Sequence, residues 1–261
     1  MGFEDLKLID PILEAIKEVG YLTPTPIQEQ SIPLILEGND ILGCAQTGTG
    51  KTAAFALPIL QTLSAKPPKA KASVRALILS PTRELAAQIS DCFNDYGRFL
   101  DVRHTVIFGG VNQNPQAAAL RRGVDVLVAT PGRLLDLLHQ NLVKLNNVEI
   151  LVLDEADRML DMGFIPDVRR IISMLPTQRQ TLFFSATMSR EVQRIAADFI
   201  HNPIRVEASP TSTTVEAIEQ RVCFVEKENK RELLTYFLKD SSIVRSEERR
   251  VGKECRSQWS P

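Results

Sequence analysis

Eight residues decide the fold of this chain: Ala45-Gln46-Thr47-Gly48-Thr49-Gly50-Lys51-Thr52. The apolar run at residues 40–44 predicts a strand, and the run that begins at Ala53 predicts a helix. A strand, a glycine-containing loop and Gly-Lys-Thr at the start of a helix are together typical of a phosphate-binding loop. The alternative is a plain glycine-rich turn, which the flanking strand and helix disfavour. We refer to residues 45–52 as the phosphate loop.

The residues of the phosphate loop have separate chemical roles. Gly48 and Gly50 let the backbone bend so that successive N–H groups point at phosphate oxygens, and the helix N-terminus adds partial positive charge. Lys51 can reach the β- and γ-phosphates, and the Thr52 hydroxyl can coordinate Mg²⁺. Ala45 departs from the general pattern, which has glycine at this position.

The composition sets limits on the other functions of the chain. Its 261 residues carry a net charge of −1, so a polyanion would have to be held by local geometry. No apolar run approaches the ~20 residues that span a bilayer, and residues 1–5 do not resemble a secretion signal. The four cysteines form no C-x-x-C pair, so neither zinc nor a disulfide framework is indicated. We expect a cytoplasmic protein with no membrane partner.

Short apolar strands alternate with helical stretches along the chain. Beyond residues 40–44, the predicted strands are Arg75–Ser80, His104–Phe108, Asp125–Ala129, Glu149–Leu153 and Gln180–Phe184. The predicted helices are residues 8–19, 27–36, 53 onward, 84–99, 116–121, 134–139 and 165–175. This alternation predicts an α/β fold, a parallel sheet with helices on both faces, in which ligands bind beyond the carboxyl ends of the strands.

Polar residues or glycines follow five of the six predicted strands, in addition to the phosphate loop. They are Pro81-Thr82-Arg83, Gly109-Gly110, Thr130-Pro131-Gly132-Arg133, Asp154-Glu155-Ala156-Asp157 and Ser185-Ala186-Thr187. Each alone has an ordinary explanation as a helix start, a turn, an acidic first helical turn or a polar connector. Their shared position at strand ends predicts one extended site.

The acidic stretch fits a Mg·nucleotide hydrolase. Asp154 would hold Mg²⁺, through water, and Glu155 would orient and deprotonate the attacking water. Ser185 and Thr187 have no evident bond-making role, but hydroxyls beside Asp157 could bond to it and relay the nucleotide state. The remaining strand-end residues would contact a phosphate backbone without reading sequence: Pro81, Thr82, Arg83, Gly109, Gly110, Thr130, Pro131, Gly132 and Arg133.

A stiff, proline-containing turn precedes the second helix. Its last residue, Gln28, could read a base because its amide both donates and accepts hydrogen bonds. On this stretch alone, a solvated glutamine at a helix start is the simpler interpretation.

In order, these motifs resemble the first half of the DEAD-box RNA helicases, and the residues around them are most similar to the bacterial RhlE-like group. The matching stretches are PTPIQ (24–28), AQTGTGKT (45–52), PTRELA (81–86), Gly109-Gly110, TPGR (130–133), DEAD (154–157) and SAT (185–187). The similarity covers residues 3 to about 240, and the family also has alanine where this chain has Ala45.

The resemblance implies a RecA-like P-loop domain that uses ATP with Mg²⁺ and binds RNA through its backbone. It implies that Gln28 reads the adenine edge and that Phe3 stacks on the base, with Tyr21 and Thr25 in the same pocket. A core or helix-staple role is the alternative for Phe3. Lys51, Asp154 and Glu155 would carry the catalysis. Family members clamp and bend a short single strand when ATP binds, and release it on hydrolysis.

The last part of the chain predicts a change of domain. Residues 1–206 form the first domain, residues 207–217 a linker, and residues 218–244 the start of a second RecA-like domain, with a strand at 220–225 and a helix at 227–239. Residues 245–261 resemble a translated sequencing adapter; the alternative is a genuine disordered basic tail. Without the arginine fingers of a second domain, we expect weak ATP and RNA binding and no efficient turnover.

The sequence is also compatible with two other functions. One is a P-loop ATPase motor that acts on double-stranded DNA. The other is a stand-alone, nucleotide-dependent RNA-binding module.

Overall fold

Seven short strands form one sheet in which every neighbouring pair is parallel. The computed structural model describes residues 2–66, 73–208 and 223–239. The strand order is β3-β4-β2-β5-β6-β1-β7. The strands are β1 (Ile41–Cys44), β2 (Ala76–Leu79), β3 (His104–Ile107), β4 (Val126–Ala129), β5 (Ile150–Leu153), β6 (Gln180–Ser185) and β7 (Ile204–Glu207).

Helices cover both faces of this sheet. They are α1 (Asp10–Val19), α2 (Pro26–Leu36), α3 (Lys51–Ser64), α4 (Arg83–Tyr96), α5 (Gln113–Arg122), α6 (Pro131–His139), α7 (Ala156–Asp161), α8 (Ile165–Ser173) and α9 (Arg190–Phe199). Successive strand residues point to opposite faces, so Val152 packs with the core under α1–α4 and Leu151 with the core under α6–α9. The continuous apolar strands therefore bury both of their faces, as predicted.

The chain divides into two compact units, residues 1–212 and residues 213–261. Within the second, the described residues form a single 3-10 turn (Lys227–Asn229) and the helix α10 (Lys230–Leu238), which leaves Leu234, Tyr236 and Phe237 exposed. The helix agrees with the prediction for residues 227–239. None of the helices in the described ranges is long and apolar enough to cross a bilayer.

Four elements of the first unit were not predicted: a 3-10 helix at Phe3–Leu6, the helices α7 and α9, and strand β7. Strand β7 lies at the sheet edge and buries only Val206, so it lacks a continuous apolar run. It also includes Glu207, which the sequence had placed in the linker.

The predicted strand at 220–225 is the one element that the structure does not form as expected. Residues 223–225 are not a strand, and no described residue pairs with them; an unpaired strand leaves its backbone polar groups without partners. Residues 220–222 lie outside the described ranges, as do residues 209–217 of the predicted linker and the proposed adapter tail at 245–261.

Polar contacts fix the beginnings of the central strands. Asp40 Oδ1 accepts a hydrogen bond from the Thr181 backbone N–H at 2.8 Å, and the Gln180 side chain donates to the carbonyls of Ile35 and Asn39 at 2.9 and 2.7 Å. These bonds tie the end of α2 and the start of β1 to β6. Because β1 leads into the phosphate loop, they also fix where that loop begins.

We predict that Gly43→Ala destabilises the chain by about 1–3 kcal/mol, because the core has no space for the added methyl group. Gly43 pairs with Phe184, and a Cβ at Gly43 would lie 2.6 Å from two atoms of that fully buried ring. Urea unfolding measures the loss. The control is Gly132→Ala, where no atom lies within 4 Å of the new Cβ. Equal unfolding midpoints for Gly43→Ala and the parent would contradict the prediction.

Candidate nucleotide and nucleic-acid site

The predicted motifs all lie at one edge of the sheet, because every strand points the same way. Their order along that edge follows the strand order, not the chain order. The glycine pair, the TPGR stretch and the PTR stretch follow β3, β4 and β2. The DEAD stretch, the SAT stretch and the phosphate loop follow β5, β6 and β1. The edge thus has two halves. The first half, on β5, β6 and β1, carries the phosphate loop, and the second half, on β3, β4 and β2, carries the glycine pair and the TPGR and PTR stretches.

The phosphate loop has the backbone conformation that its glycines predict. Gly48 and Gly50 adopt φ values of 81° and 91°, and Gly50 precedes the first residue of α3. Lys51 begins the helix and is only 5% exposed, and its Nζ has no hydrogen-bond partner among the described residues. An unpaired buried ammonium is costly, so an anionic ligand would stabilise it.

Gln28 is buried against the phosphate loop. Its side chain is 3% exposed; Oε1 accepts from the Thr25 N–H at 3.0 Å and Nε2 donates to the Gly50 carbonyl at 3.0 Å. A Cβ at Gly50 would lie 2.3 Å from Gln28 Nε2, so only glycine allows this contact. The interpretation as a solvated helix-start glutamine is therefore wrong. The adenine-reading role stays a prediction.

The two predicted aromatic residues of the adenine pocket differ in exposure. Phe3 is 6% exposed and packs in the core, which is the alternative role considered for it. Tyr21 is exposed, and its hydroxyl lies 3.2 Å from that of Tyr96 on α4. Burial, and then the bond to Tyr21, raise the pKa of Tyr96 above its usual value. Contacts of Phe3 and Tyr21 with adenine stay predictions.

Two carboxylates are buried just after β5. Burial raises the pKa of Asp154 to about 6, although the positive charge of Lys51 opposes that shift. Glu155 has φ 52° and ψ 52°, a left-handed conformation that costs a residue with a side chain about 1–3 kcal/mol. Its N–H donates to Asp154 Oδ1 at 3.1 Å, and its Oε2 accepts from Arg158 Nη1 at 3.3 Å. Arg158 was not predicted as a site residue, although its i+3 spacing from Glu155 is typical of an ion pair on a helix.

Asp157 is joined to the neighbouring strand end. Its Oδ2 accepts hydrogen bonds from the backbone N–H and the hydroxyl of Thr187, at 2.9 and 3.0 Å. Ser185 is placed differently: its hydroxyl is fully buried and has no hydrogen-bond partner in the described part of the chain. Of the two hydroxyls predicted beside Asp157, only that of Thr187 bonds to it.

The second half of the edge carries two arginines. The Arg83 guanidinium carbon lies 5.4 Å from the centroid of the Phe108 ring, and Arg133 Nη2 donates to the Val111 carbonyl at 3.2 Å. Thr82 Oγ1 accepts from the Leu85 N–H at 3.3 Å, so it caps α4. Other predicted residues lie around these arginines in the same strand-end segments: Pro81, Gly109, Gly110, Thr130, Pro131 and Gly132. The sequence analysis did not identify Phe108.

The residues of the first half fit a nucleotide with Mg²⁺. The buried, unpaired Lys51 ammonium and the turned glycine backbone suit phosphate, and the Thr52 hydroxyl and the Asp154 carboxylate are oxygen ligands that Mg²⁺ prefers. In the described ranges, no three His, Cys, Asp or Glu side chains form a cluster that could hold a metal. Mg²⁺ would therefore depend on phosphate oxygens and water for most of its ligands.

Comparison with known proteins assigns the chain to a family. A family model described as DEAD/DEAH box helicase matches residues 25–195. The ATP-dependent rRNA helicase rrp3 of Schizosaccharomyces pombe is 44% identical over 239 residues, which are 91% of this chain and 50% of that protein. The ATP-dependent RNA helicase CshA of Limosilactobacillus reuteri is 46% identical over 220 residues, which are 84% of this chain and 44% of that protein. The chain thus spans about half the length of these relatives.

Solved structures agree with the sequence relatives. A DEAD box protein from the hyperthermophile Methanococcus jannaschii matches with a TM-score of 0.76 and 37% identity, over 92% of this chain and 64% of that one. A hypothetical ATP-dependent RNA helicase from Sulfolobus tokodaii matches with a TM-score of 0.70 and 38% identity, over 77% of this chain and 57% of that one. These matches confirm the predicted RecA-like α/β fold; the RhlE-like subgroup stays a prediction. The chain belongs to the DEAD/DEAH-box helicase family.

Proposed function

We propose that this chain is the ATP-binding part of an ATP-dependent RNA helicase, which couples ATP binding and hydrolysis to local separation of RNA strands. The observation that carries the proposal is the buried Lys51 ammonium, which has no hydrogen-bond partner among the described residues and acts electrostatically on the buried Asp154. This arrangement is unfavourable without a ligand and favourable with a phosphate chain present.

The proposed roles follow from where the residues lie. Lys51 and the N–H groups at the start of α3 bind the phosphates, and Thr52 and Asp154 would hold Mg²⁺. When bound there, Mg²⁺ would supply positive charge against the phosphate oxygens. Glu155 orients a water and accepts its proton, and the Arg158 guanidinium holds that carboxylate through its bond to Oε2. We propose that the Asp157–Thr187 bonds relay the nucleotide state between the neighbouring ends of β5 and β6.

RNA is the proposed partner of the second half of the edge. Arg83 and Arg133 provide guanidinium groups there, and the curated relatives are named as RNA or rRNA helicases. The near-neutral chain, with a net charge of −1, supports binding through these local groups instead of a general basic field. A cytoplasmic location remains part of the proposal.

Nucleotide-dependent RNA binding tests this function. We expect Lys51→Ala to abolish binding of a fluorescent ATP analogue and the effect of that analogue on RNA binding, since the phosphates lose their cation. Lys17→Ala, at an exposed position of α1, is the matched control and should behave as the parent. Fluorescence anisotropy with single-stranded RNA and double-stranded DNA at one salt concentration gives both readouts.

The result also separates the alternatives. Tighter binding of double-stranded DNA than of RNA would favour a DNA motor. A stand-alone binding module would be favoured if RNA binding depends on nucleotide and the full-length protein hydrolyses no ATP. RNA binding that is indifferent to both the analogue and Lys51→Ala would contradict the proposed coupling.

We further propose that residues 1–261 turn over ATP slowly on their own. The motifs between residues 45 and 187 supply no arginine finger, which in related phosphoryl-transfer systems is worth roughly 10³–10⁵ in rate. A coupled ATPase assay with and without RNA should therefore detect little turnover. RNA-stimulated turnover that Glu155→Gln abolishes would contradict this prediction.

Asp154 should make the stability of the nucleotide-free chain depend on pH. Its pKa is raised from 3.8 to about 6, so the folded chain holds this proton more tightly than the unfolded chain. Its contribution to stability is present in full below about pH 4 and is lost as the pH rises through about 6. Asp154→Asn removes this loss. We therefore expect the free energy of unfolding of the variant, relative to that of the parent, to rise by about 1–2 kcal/mol from about pH 5 to about pH 8.

Urea unfolding without nucleotide at the two pH values measures this gain. Asp101→Asn, at an exposed position, is the control and should follow the parent at both. An Asp154→Asn effect that is the same at both pH values would show that ionisation of Asp154 is not the cause.

A further inference from the structure

Arg83 is held by an aromatic ring and a glycine. Its guanidinium carbon lies 5.4 Å from the centroid of the Phe108 ring. Gly110 has φ 77°, and a Cβ built there would lie 2.7 Å from Arg83 Nη1. A side chain at position 110 would therefore displace the guanidinium, and the ring face attracts its positive charge. Both contacts restrict where this exposed side chain can go.

The Arg83 guanidinium has no acidic partner. Within residues 2–66, 73–208 and 223–239 it forms no ion pair and no hydrogen bond. Arg169, by contrast, is paired with Asp198 at 2.6 Å. Stacking on a ring orients a guanidinium and leaves its N–H donors free. Arg83 is thus oriented for an anion that is not part of the chain.

Phe108 is itself fixed by a buried glutamine. The Phe108 N–H donates to Gln116 Oε1 at 3.2 Å, and Gln116 Nε2 donates to the Phe108 carbonyl at 3.1 Å. Gln116 is buried on α5, so the two bonds connect the end of β3 to a helix of the core. A single amide therefore satisfies both backbone groups of Phe108 and holds the backbone from which its ring projects.

The other end of the same loop is tied to the second arginine. Arg133 Nη2 donates to the Val111 carbonyl at 3.2 Å, whereas its Nε and Nη1 are buried and have no partner among the described residues. Residues 108–111 thus connect both arginines: Phe108 contacts Arg83, and Val111 contacts Arg133. A rigid loop would keep the two guanidinium groups at a constant separation, as recognition of a phosphate backbone requires.

We propose that Phe108 and Gln116 are positioning residues for RNA binding: Gln116 fixes Phe108, and the Phe108 ring holds the Arg83 guanidinium ready for a backbone phosphate. The inference rests on the proposed function, because it assumes that Arg83 meets RNA. It adds a reason for the aromatic residue before the glycine pair. It also gives the absence of a side chain at Gly110 a role, since a Cβ there would lie 2.7 Å from Arg83 Nη1.

A double-mutant cycle tests whether Phe108 acts through Arg83. The variants are Phe108→Leu, Arg83→Ala and the double variant, and anisotropy with labelled oligouridine and a non-hydrolysable ATP analogue gives the Kd. We expect Phe108→Leu to weaken binding about three- to tenfold and Phe108→Tyr, which keeps the ring, to stay within about twofold of the parent. In the Arg83→Ala background, Phe108→Leu should have no further effect. An equal loss in both backgrounds would overturn the inference, since Phe108 would then act through the fold.

An NMR measurement tests the same contact without RNA. The Nε–Hε signal of Arg83 is assigned by its loss in Arg83→Ala, and the Phe108 ring should displace it from the position of a free arginine. Phe108→Leu and Gln116→Leu should return it toward that position. Gln113→Leu is the matched control on α5, because among the described residues the Gln113 side chain bonds only to that of Gln140. A signal that Phe108→Leu does not move would overturn the inference. A signal that moves in a chain that binds no RNA would support the contact and reject the proposed function.

Discussion

Parallel pairing of β1 with β6 and β7 is the constraint on which the rest of the structure depends. It brings the phosphate loop to the same edge as the ends of all the other strands. The order of the strands then divides that edge, since β5, β6 and β1 carry the nucleotide residues, and β3, β4 and β2 carry the proposed RNA residues. Strands β2 and β5 are neighbours, so the two halves meet at the centre of the sheet.

Both halves hold charge in an arrangement that is incomplete without a ligand. In the first, the buried Lys51 ammonium has no hydrogen-bond partner in the part of the chain that the structure describes, and burial raises the pKa of Asp154. In the second, Arg83 stacks on a ring without an acidic partner among the described residues, and two nitrogens of Arg133 are buried and unpaired. Such groups destabilise the free chain, and natural proteins keep them mainly at functional sites.

The contacts around these groups are mainly between backbone and side chains from different segments. Gln28 bonds to Gly50, Asp157 to Thr187, and Gln116 to Phe108. Two motif glycines also lie close to side chains of other segments: a Cβ at Gly50 would lie 2.3 Å from the Gln28 amide nitrogen, and a Cβ at Gly110 would lie 2.7 Å from the Arg83 guanidinium. The motif glycines therefore serve packing between segments as well as local turning.

The sequence by itself determined the local structure. The spacing of apolar residues predicted six of the strands and most of the helices, and the phosphate loop could be predicted because its strand, glycines and helix start are adjacent in the chain. Helix α9 was also within reach, since its buried residues Val192, Ile195, Ala196 and Phe199 have helical spacing. The tertiary structure alone decided the strand order, the edge strand β7, the burial of Gln28 and Phe3, and the Arg83–Phe108 contact. These depend on pairing between distant segments, for which a local pattern carries no signal.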